Sequence, residues 1–109
     1  MKKEQIMDFT RRISQCNRGG LVIVIYDIFF AYMEDTKEAH DNGEWENYKT
    51  ALRNASKTIS ELISSLDFSY ELAGELYRSY VFCRETLAKA MYKRDLKEDQ
   101  LAENLMKKL

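Results

Sequence analysis

The chain has 109 residues, enough for one domain that buries a hydrophobic core without metals or disulfides. Its 17 basic and 18 acidic residues give a net charge of −1 and are spread along the chain, which argues against nucleic acid or an anionic membrane surface as a partner. The two cysteines, Cys16 and Cys83, follow no zinc or redox spacing and are typical of reduced thiols in a cytoplasmic protein.

The first predicted element is a short amphipathic helix over residues 3–16. Its apolar side chains recur at steps of three and four residues, at Ile6, Phe9, Ile13 and Cys16. Such a helix needs a surface to lie against. Asn17 follows as a candidate N-cap for the next helix, with a hinge at 17–20.

Residues 21–33 form the most unusual segment, LVIVIYDIFFAYM, in which Asp27 is the only charge. An ordinary surface helix would show a polar face, and the run is shorter than the roughly 18 to 20 apolar residues needed to cross a bilayer. Its β-branched residues favour a strand. The apolar rhythm nevertheless continues to Ala39, and Asn42 and Gly43 then mark a helix end. We therefore expect a long helix, without membrane insertion, that the rest of the protein or a partner chain covers on every side.

The charge pattern of this region also bears on localisation. The pair Arg11 and Arg12 ahead of an apolar run superficially suggests an export signal. Asp27 inside the run and the lack of a small-residue cleavage site argue against that interpretation. We expect a mature, cytoplasmic chain.

Three further helices are predicted. The segment 44–66 carries a regular apolar seam at Trp45, Tyr48, Leu52, Ala55, Ile59, Leu62 and Leu66. After a turn with Asp67 or Ser69 as N-cap, a helix from about Tyr70 to Lys93 directs inward Leu72, Leu76, Tyr80, Cys83, Leu87, Ala90 and Met91, and Gly74 marks a close helix contact. A last helix begins near Glu98 and carries Leu101, Leu105 and Leu109.

Short connections between helices of similar length predict antiparallel neighbours. The expected fold is therefore all-α, an up-and-down four-helix bundle with a short N-terminal helix as an appendage. We expect a single domain over residues 1–109, composed of an N-terminal cap helix at 1–16 and the bundle at 20–109.

The sequence lacks the residue patterns that are typical of catalytic and cofactor-binding sites. A di-iron bundle needs two Glu-x-x-His pairs, and His40 is the only histidine. No Ser-His-Asp or Cys-His set and no glycine-rich phosphate loop can be assembled. We predict that the chain is not an enzyme, has no metal site or cofactor, and acts by binding through apolar surface.

The sequence resembles the flagellin export chaperones of bacteria, the FliS family. Members carry the pattern TASPxELVxxLYDG, which aligns with residues 15–28 and matches at Leu21, Val22, Tyr26 and Asp27. The similarity continues through Glu38, Ala39, Asn42, Gly43, 59–62, 65–67, Leu72, Tyr80, Leu87, Ala90, Asp95, Leu101 and Glu103. Arg18 stands at the family's proline, Ile28 at its glycine, and the final helix stops before the family's Arg-x-x-Trp ending.

This resemblance implies a cytoplasmic chaperone that holds the disordered C-terminal segment of flagellin, prevents premature polymerisation and assists export, with an export-apparatus component as a further candidate partner. A client that folds on binding would lay apolar helices into a groove. We expect that groove to be lined by Ile23, Tyr26 and Phe30 of the first long helix and by Tyr77 and Tyr80. Ile6, Phe9 and Ile13 would occupy part of it as a displaceable cap.

A second hypothesis explains the apolar surface without that client. The chain would be a self-associating bundle whose leftover apolar face is covered by an identical subunit, with a different client or none. The solution mass distinguishes the two, because a self-covered bundle is a homodimer when alone.

Overall fold

Five α-helices and no strand form the part of the chain that this computed structural model describes, residues 1–93 and 96–108. This confirms the predicted all-α class. The helices are α1 (Lys3–Gln15), α2 (Arg18–Asp41), α3 (Trp45–Ser64), α4 (Glu71–Lys93) and α5 (Leu96–Lys108). The predicted roles of Asp95 and Leu109 lie outside the described residues.

The ends of α2 follow the predicted signals. The Asn17 side chain accepts a hydrogen bond from the Gly20 N–H at 2.8 Å, so Asn17 is the N-cap. Gly43 has a φ of +69°, the left-handed conformation that follows many helix C-termini. The Glu44 N–H donates back to the Ala39 carbonyl at 2.9 Å, which turns the chain sharply into α3.

The predicted N-cap of α4 is wrong. The Asp67 carboxylate accepts hydrogen bonds from the N–H and the hydroxyl of Ser69, at 3.0 and 2.7 Å. A short carboxylate side chain that bonds two residues ahead forms a turn of its own. The helix therefore begins later, at Glu71, and neither Asp67 nor Ser69 occupies the cap position.

The helices pack in chain order. Contacts join α2 to α3, α3 to α4 and α4 to α5, and α5 closes the ring on α2. Helices α2 to α5 thus form the predicted up-and-down bundle, in which α2 and α4 lie on a diagonal. α1 lies outside the ring against α2. Within the described residues, no helix offers an apolar stretch long enough to span a membrane.

The core runs through the middle of this ring. The predicted seam of α3 is confirmed, since Tyr48, Leu52, Ala55, Ile59 and Leu62 are buried, with Trp45 and Leu66 packed at its ends. The other helices contribute Phe29, Met33, Tyr80, Cys83, Leu87, Ala90, Ala102 and Met106. Leu76, Met91 and Leu105 are partly buried against the same core.

The predicted inward position of Leu72 is wrong in helical phase, and α5 shows the same pattern. Leu72 is 62% exposed, and its neighbour Ala73 faces inward instead. Leu101 is likewise exposed, while Ala102 is buried. One residue rotates a helix by about 100°, and small alanines allow closer helix approach than leucines, so the largest apolar side chain does not mark the inward face here.

Gly74 does not mark a close helix contact. A methyl group built at this position would meet no atom within 4 Å. The prediction of a tight contact at Gly74 is therefore wrong.

A buried carboxylate marks the contact between α5 and α2. Glu103 is buried, and its carboxylate lies 3.1 Å from the Lys37 ammonium of α2 and 3.3 Å from the Lys107 ammonium one turn further along α5. Buried carboxylates are retained only with such partners. The Lys37–Glu103 ion pair therefore joins α5 to α2 where the ring closes.

Candidate functional site

α2 is covered on two opposite faces. Phe29 and Met33 point into the core. Val24 and Ala31 are only 3% and 8% exposed, yet at about 100° per residue they lie on the far side of the helix from those core positions. A second layer must therefore cover the back of α2.

That layer is α1. The Arg12 guanidinium donates to the Asp27 carboxylate at 2.6 Å, and the terminal ammonium of Met1 pairs with Asp35. Asp27 and Asp35 flank the face of Val24 and Ala31, so α1 runs antiparallel along the back of α2. The rest of the chain thus provides most of the cover that the apolar run requires.

α1 is held lightly. None of its residues is buried, and Ile6, Met7 and Ile13 remain exposed. Phe9 is partly buried, as is Cys16 at the C-cap of α1. The short helix thus combines modest apolar contact with ion pairs at both of its ends.

One apolar strip stays open on the α5 side of α2. We call this cleft of about 360 Å³ the α2–α5 groove; it is lined by Val22, Ile23, Tyr26, Asp27, Phe30, Met106 and Lys107. Ile23 is 62% exposed there. The structure therefore brings together three of the five predicted groove residues, Ile23, Tyr26 and Phe30.

The other two predicted groove residues lie elsewhere. Tyr80 is 3% exposed, in the core, and its hydroxyl reaches the Tyr26 hydroxyl at 2.6 Å. Tyr77 is exposed near the α3–α4 connection, with its ring 5.9 Å from that of Phe68. Neither tyrosine lines the α2–α5 groove. Tyr80 instead lines a separate cleft near the α3–α4 connection, which Val22 of α2 also reaches.

A second apolar cleft, on the α3 side of α2, was not predicted from the sequence. This α2–α3 groove, of about 370 Å³, is lined by Ile13, Leu21, Ile25, Ile28, Tyr32, Asn54, Lys57, Thr58 and Glu61. The signal that could have revealed it is the run Leu21, Ile25, Ile28 and Tyr32, spaced by four, three and four residues. These side chains form a stripe beside the core stripe, and Ile25 and Tyr32 also pack against the core.

The N-terminal helix does not occupy the predicted groove. We expected Ile6, Phe9 and Ile13 to lie over Ile23, Tyr26 and Phe30. Ile13 instead lines the α2–α3 groove, because the aspartates that hold α1 lie on the back of α2. α1 borders the α2–α5 groove only through the Arg12–Asp27 pair.

Protonation at the site is fixed by burial and hydrogen bonding. Burial, and then the hydrogen bond to Tyr80, raise the pKa of Tyr26, which keeps its hydroxyl protonated. The hydrogen bond to Asp27 raises the pKa of Arg12. Burial raises the pKa of the Cys83 thiol to about 11 and makes it a poor nucleophile.

His40 belongs to an aromatic cluster at the other end of α2. Its ring lies 5.5 Å from that of Trp45 and 5.7 Å from that of Tyr48. No group of three or more metal-ligating side chains occurs within residues 1–93 and 96–108. The grooves beside α2 therefore offer a binding partner apolar side chains and a few charged groups.

Comparison with known protein families gives a match over nearly the whole chain. A family model described as the flagellar protein FliS matches residues 2–109. No curated protein matches the chain. The matched family is one of chaperones of flagellum biogenesis, not of enzymes.

Proposed function

Because the chain belongs to the FliS family of flagellar chaperones, we propose that it holds the disordered C-terminal segment of flagellin in the cytoplasm. In this role it prevents premature polymerisation and hands the client to the export apparatus, a component of which would dock on the complex. Membership of the family supports the chaperone role. The open apolar strips beside α2 support binding of a client that is disordered when free.

The exposed Ile23 side chain is the observation that carries this proposal. It lies beside Tyr26 and Phe30 in a cleft whose other wall is Met106 of α5. A helix laid into this cleft would present apolar residues at i, i+3, i+4 and i+7. The affinity would come from the aliphatic and aromatic area removed from water, less the cost of ordering the segment.

Part of this proposal is that α1 acts as a displaceable cap. Residues 1–16 would detach as a unit from a bundle formed by 20–109, all within one domain. Support comes from the absence of any buried residue on α1 and from its position on the back of α2. There Arg12 pairs with Asp27 at the edge of the α2–α5 groove, and Ile13 lines the α2–α3 groove. Removing residues 1–16 should strengthen client binding, and an unchanged affinity would count against the cap.

The test is a calorimetric titration of the protein with the C-terminal segment of flagellin from the same bacterium, with solution mass recorded before and after. We expect one-to-one binding with a large negative heat-capacity change, as coupled folding produces. Ile23→Ser should weaken binding about fivefold or more, as expected for a contact residue in the groove. Tyr92→Ser, a change at a residue of α4 that is 91% exposed, is the matched control. Failure of the unaltered protein to bind would reject the proposal.

A self-associating bundle is the second candidate function. The observation that favours it is an exposed apolar cluster at the α3–α4 connection, formed by Phe68, Tyr70, Leu72 and Tyr77. A second copy of the chain would cover this cluster in a homodimer with a different client or none. A stable dimer that does not bind the flagellin segment would favour this candidate.

A further inference from the structure

Asp27 places a carboxylate in the apolar α2–α5 groove. It lies four residues after Ile23 and three before Phe30, hence on the same face of α2, and all three line the cleft. The side chain is 45% exposed in the free protein. Any helix that covers Ile23 and Phe30 must therefore also cover Asp27.

Covering this carboxylate has an energetic consequence. A charge removed from water is unfavourable unless a partner of opposite sign replaces the lost hydration. In the free protein that partner is Arg12, 2.6 Å away. Arg12 belongs to α1, where its guanidinium lies over the Phe9 ring at 5.7 Å. When α1 leaves, Arg12 leaves with it.

The opposite wall of the groove carries the other sign. Lys107 lines the cleft from α5 and is more than half exposed, while its ammonium neighbours Glu103. A helix in the groove thus meets a carboxylate on the α1 side and an ammonium on the α5 side. Charge complementarity of this kind fixes orientation and register more than it adds raw affinity.

Resting on the proposed function, we infer that Asp27 selects a client helix with a lysine or arginine within its apolar stripe, and that this residue replaces Arg12 as the partner of the carboxylate. Asp27 therefore has two successive roles. It holds α1 in the free protein and orients the client in the complex.

Substitutions at the two residues of the Arg12–Asp27 ion pair should therefore change client affinity in opposite directions. Arg12→Gln removes the competitor and leaves Asp27 available, so client affinity rises. In a protein that already carries Arg12→Gln, the Arg12–Asp27 ion pair is absent. Adding Asp27→Asn then changes client affinity only through the contact between Asp27 and the client. We expect the double variant to bind about fivefold to tenfold more weakly than Arg12→Gln, the range of a partly desolvated charge pair.

The experiment titrates the full-length variants with the C-terminal flagellin segment at two salt concentrations. The affinity of Arg12→Gln should fall with salt more steeply than that of the double variant. Asp41→Asn, combined with Arg12→Gln, makes the same charge change at an exposed position at the far end of α2 and should bind like Arg12→Gln alone. Each basic residue of the segment is then replaced by glutamine. One of these replacements should weaken binding to Arg12→Gln but not to the double variant.

The outcomes separate this inference from the function on which it rests. No binding of the segment to the unaltered protein rejects the proposed function, and the inference with it. Binding that is equal for Arg12→Gln and the double variant rejects only the inference, because Asp27 would then act solely through α1.

Discussion

The hydroxyl oxygens of Tyr26 and Tyr80 lie 2.6 Å apart, a hydrogen bond that joins the diagonal helices α2 and α4. Tyr80 is buried, whereas Tyr26 is partly exposed and forms a wall of the α2–α5 groove. This bond therefore links the surface that would receive a client to the centre of the bundle.

Removing that bond should lower stability. Tyr80→Phe keeps the ring and deletes the hydroxyl, so we expect the free energy of unfolding to fall by about 1 kcal/mol, the usual net value of one hydrogen bond. Urea denaturation measures this change. Tyr77→Phe, the same change on the surface, should stay within about 0.5 kcal/mol. Equal effects of the two substitutions would mean that the Tyr26–Tyr80 bond contributes nothing.

Alkaline pH should destabilise the fold through Cys83. Its thiol has a pKa of about 11 in the folded chain, raised from an ordinary 9 by burial. The unfolded thiol loses its proton first, so the stabilisation is complete below pH 9 and is lost as the pH rises toward 11. Denaturation series at pH 8 to 11 should show a flatter decline for Cys83→Ala than for the unaltered protein. Cys16→Ala leaves Cys83 in place and should retain the steeper decline.

The inward face of α4 can be tested by a pair of leucines. Leu87 is fully buried, so Leu87→Ala should cost about 2 to 5 kcal/mol through lost burial and the cavity left behind. Leu72→Ala should change the free energy of unfolding by about 0.5 kcal/mol or less. Thermal or chemical denaturation gives both values. A large loss at Leu72 would contradict the helical phase described above.

Two glycines should respond with opposite signs to alanine. Gly74 lies within α4 with no atom near a built methyl group, so Gly74→Ala should stabilise the protein by about 0.5 to 1 kcal/mol. Gly43 has a φ of +69°, a conformation unfavourable to alanine, so Gly43→Ala should cost about 1 kcal/mol. Calorimetric melting compares the two, and a stability loss at Gly74 would point to a contact there after all.

The helices were predictable because their ends carry local signals. Asn17 and Gly43 act within a few residues of themselves, and the α3 seam repeats without interruption. The inward face at the start of α4 was not predictable, since Leu72 is larger and more apolar than Ala73, yet Ala73 fits the narrow space between helices. Periodicity ranks side chains by hydrophobicity and does not measure that space.

The candidate site was predictable only in part. Ile23, Tyr26 and Phe30 could be assigned to one side of α2 from their spacing. Which helix faces them depends on the order of helices around the ring, and that order placed α5 there instead of α4. Tyr80 was predicted both on the inward face of α4 and in the groove. The structure agrees with the inward position, since Tyr80 is buried and its hydroxyl lies beside that of Tyr26.

The chain-order packing of the bundle also bears on how the protein folds. Most neighbouring helices are consecutive in the chain, so their contacts close small loops at low entropic cost, and helical proteins of this kind fold within about microseconds to milliseconds. The contact of α5 with α2 is the exception, because it joins opposite ends of the sequence. We expect it to form last, so that the α2–α5 groove takes shape only as folding is completed.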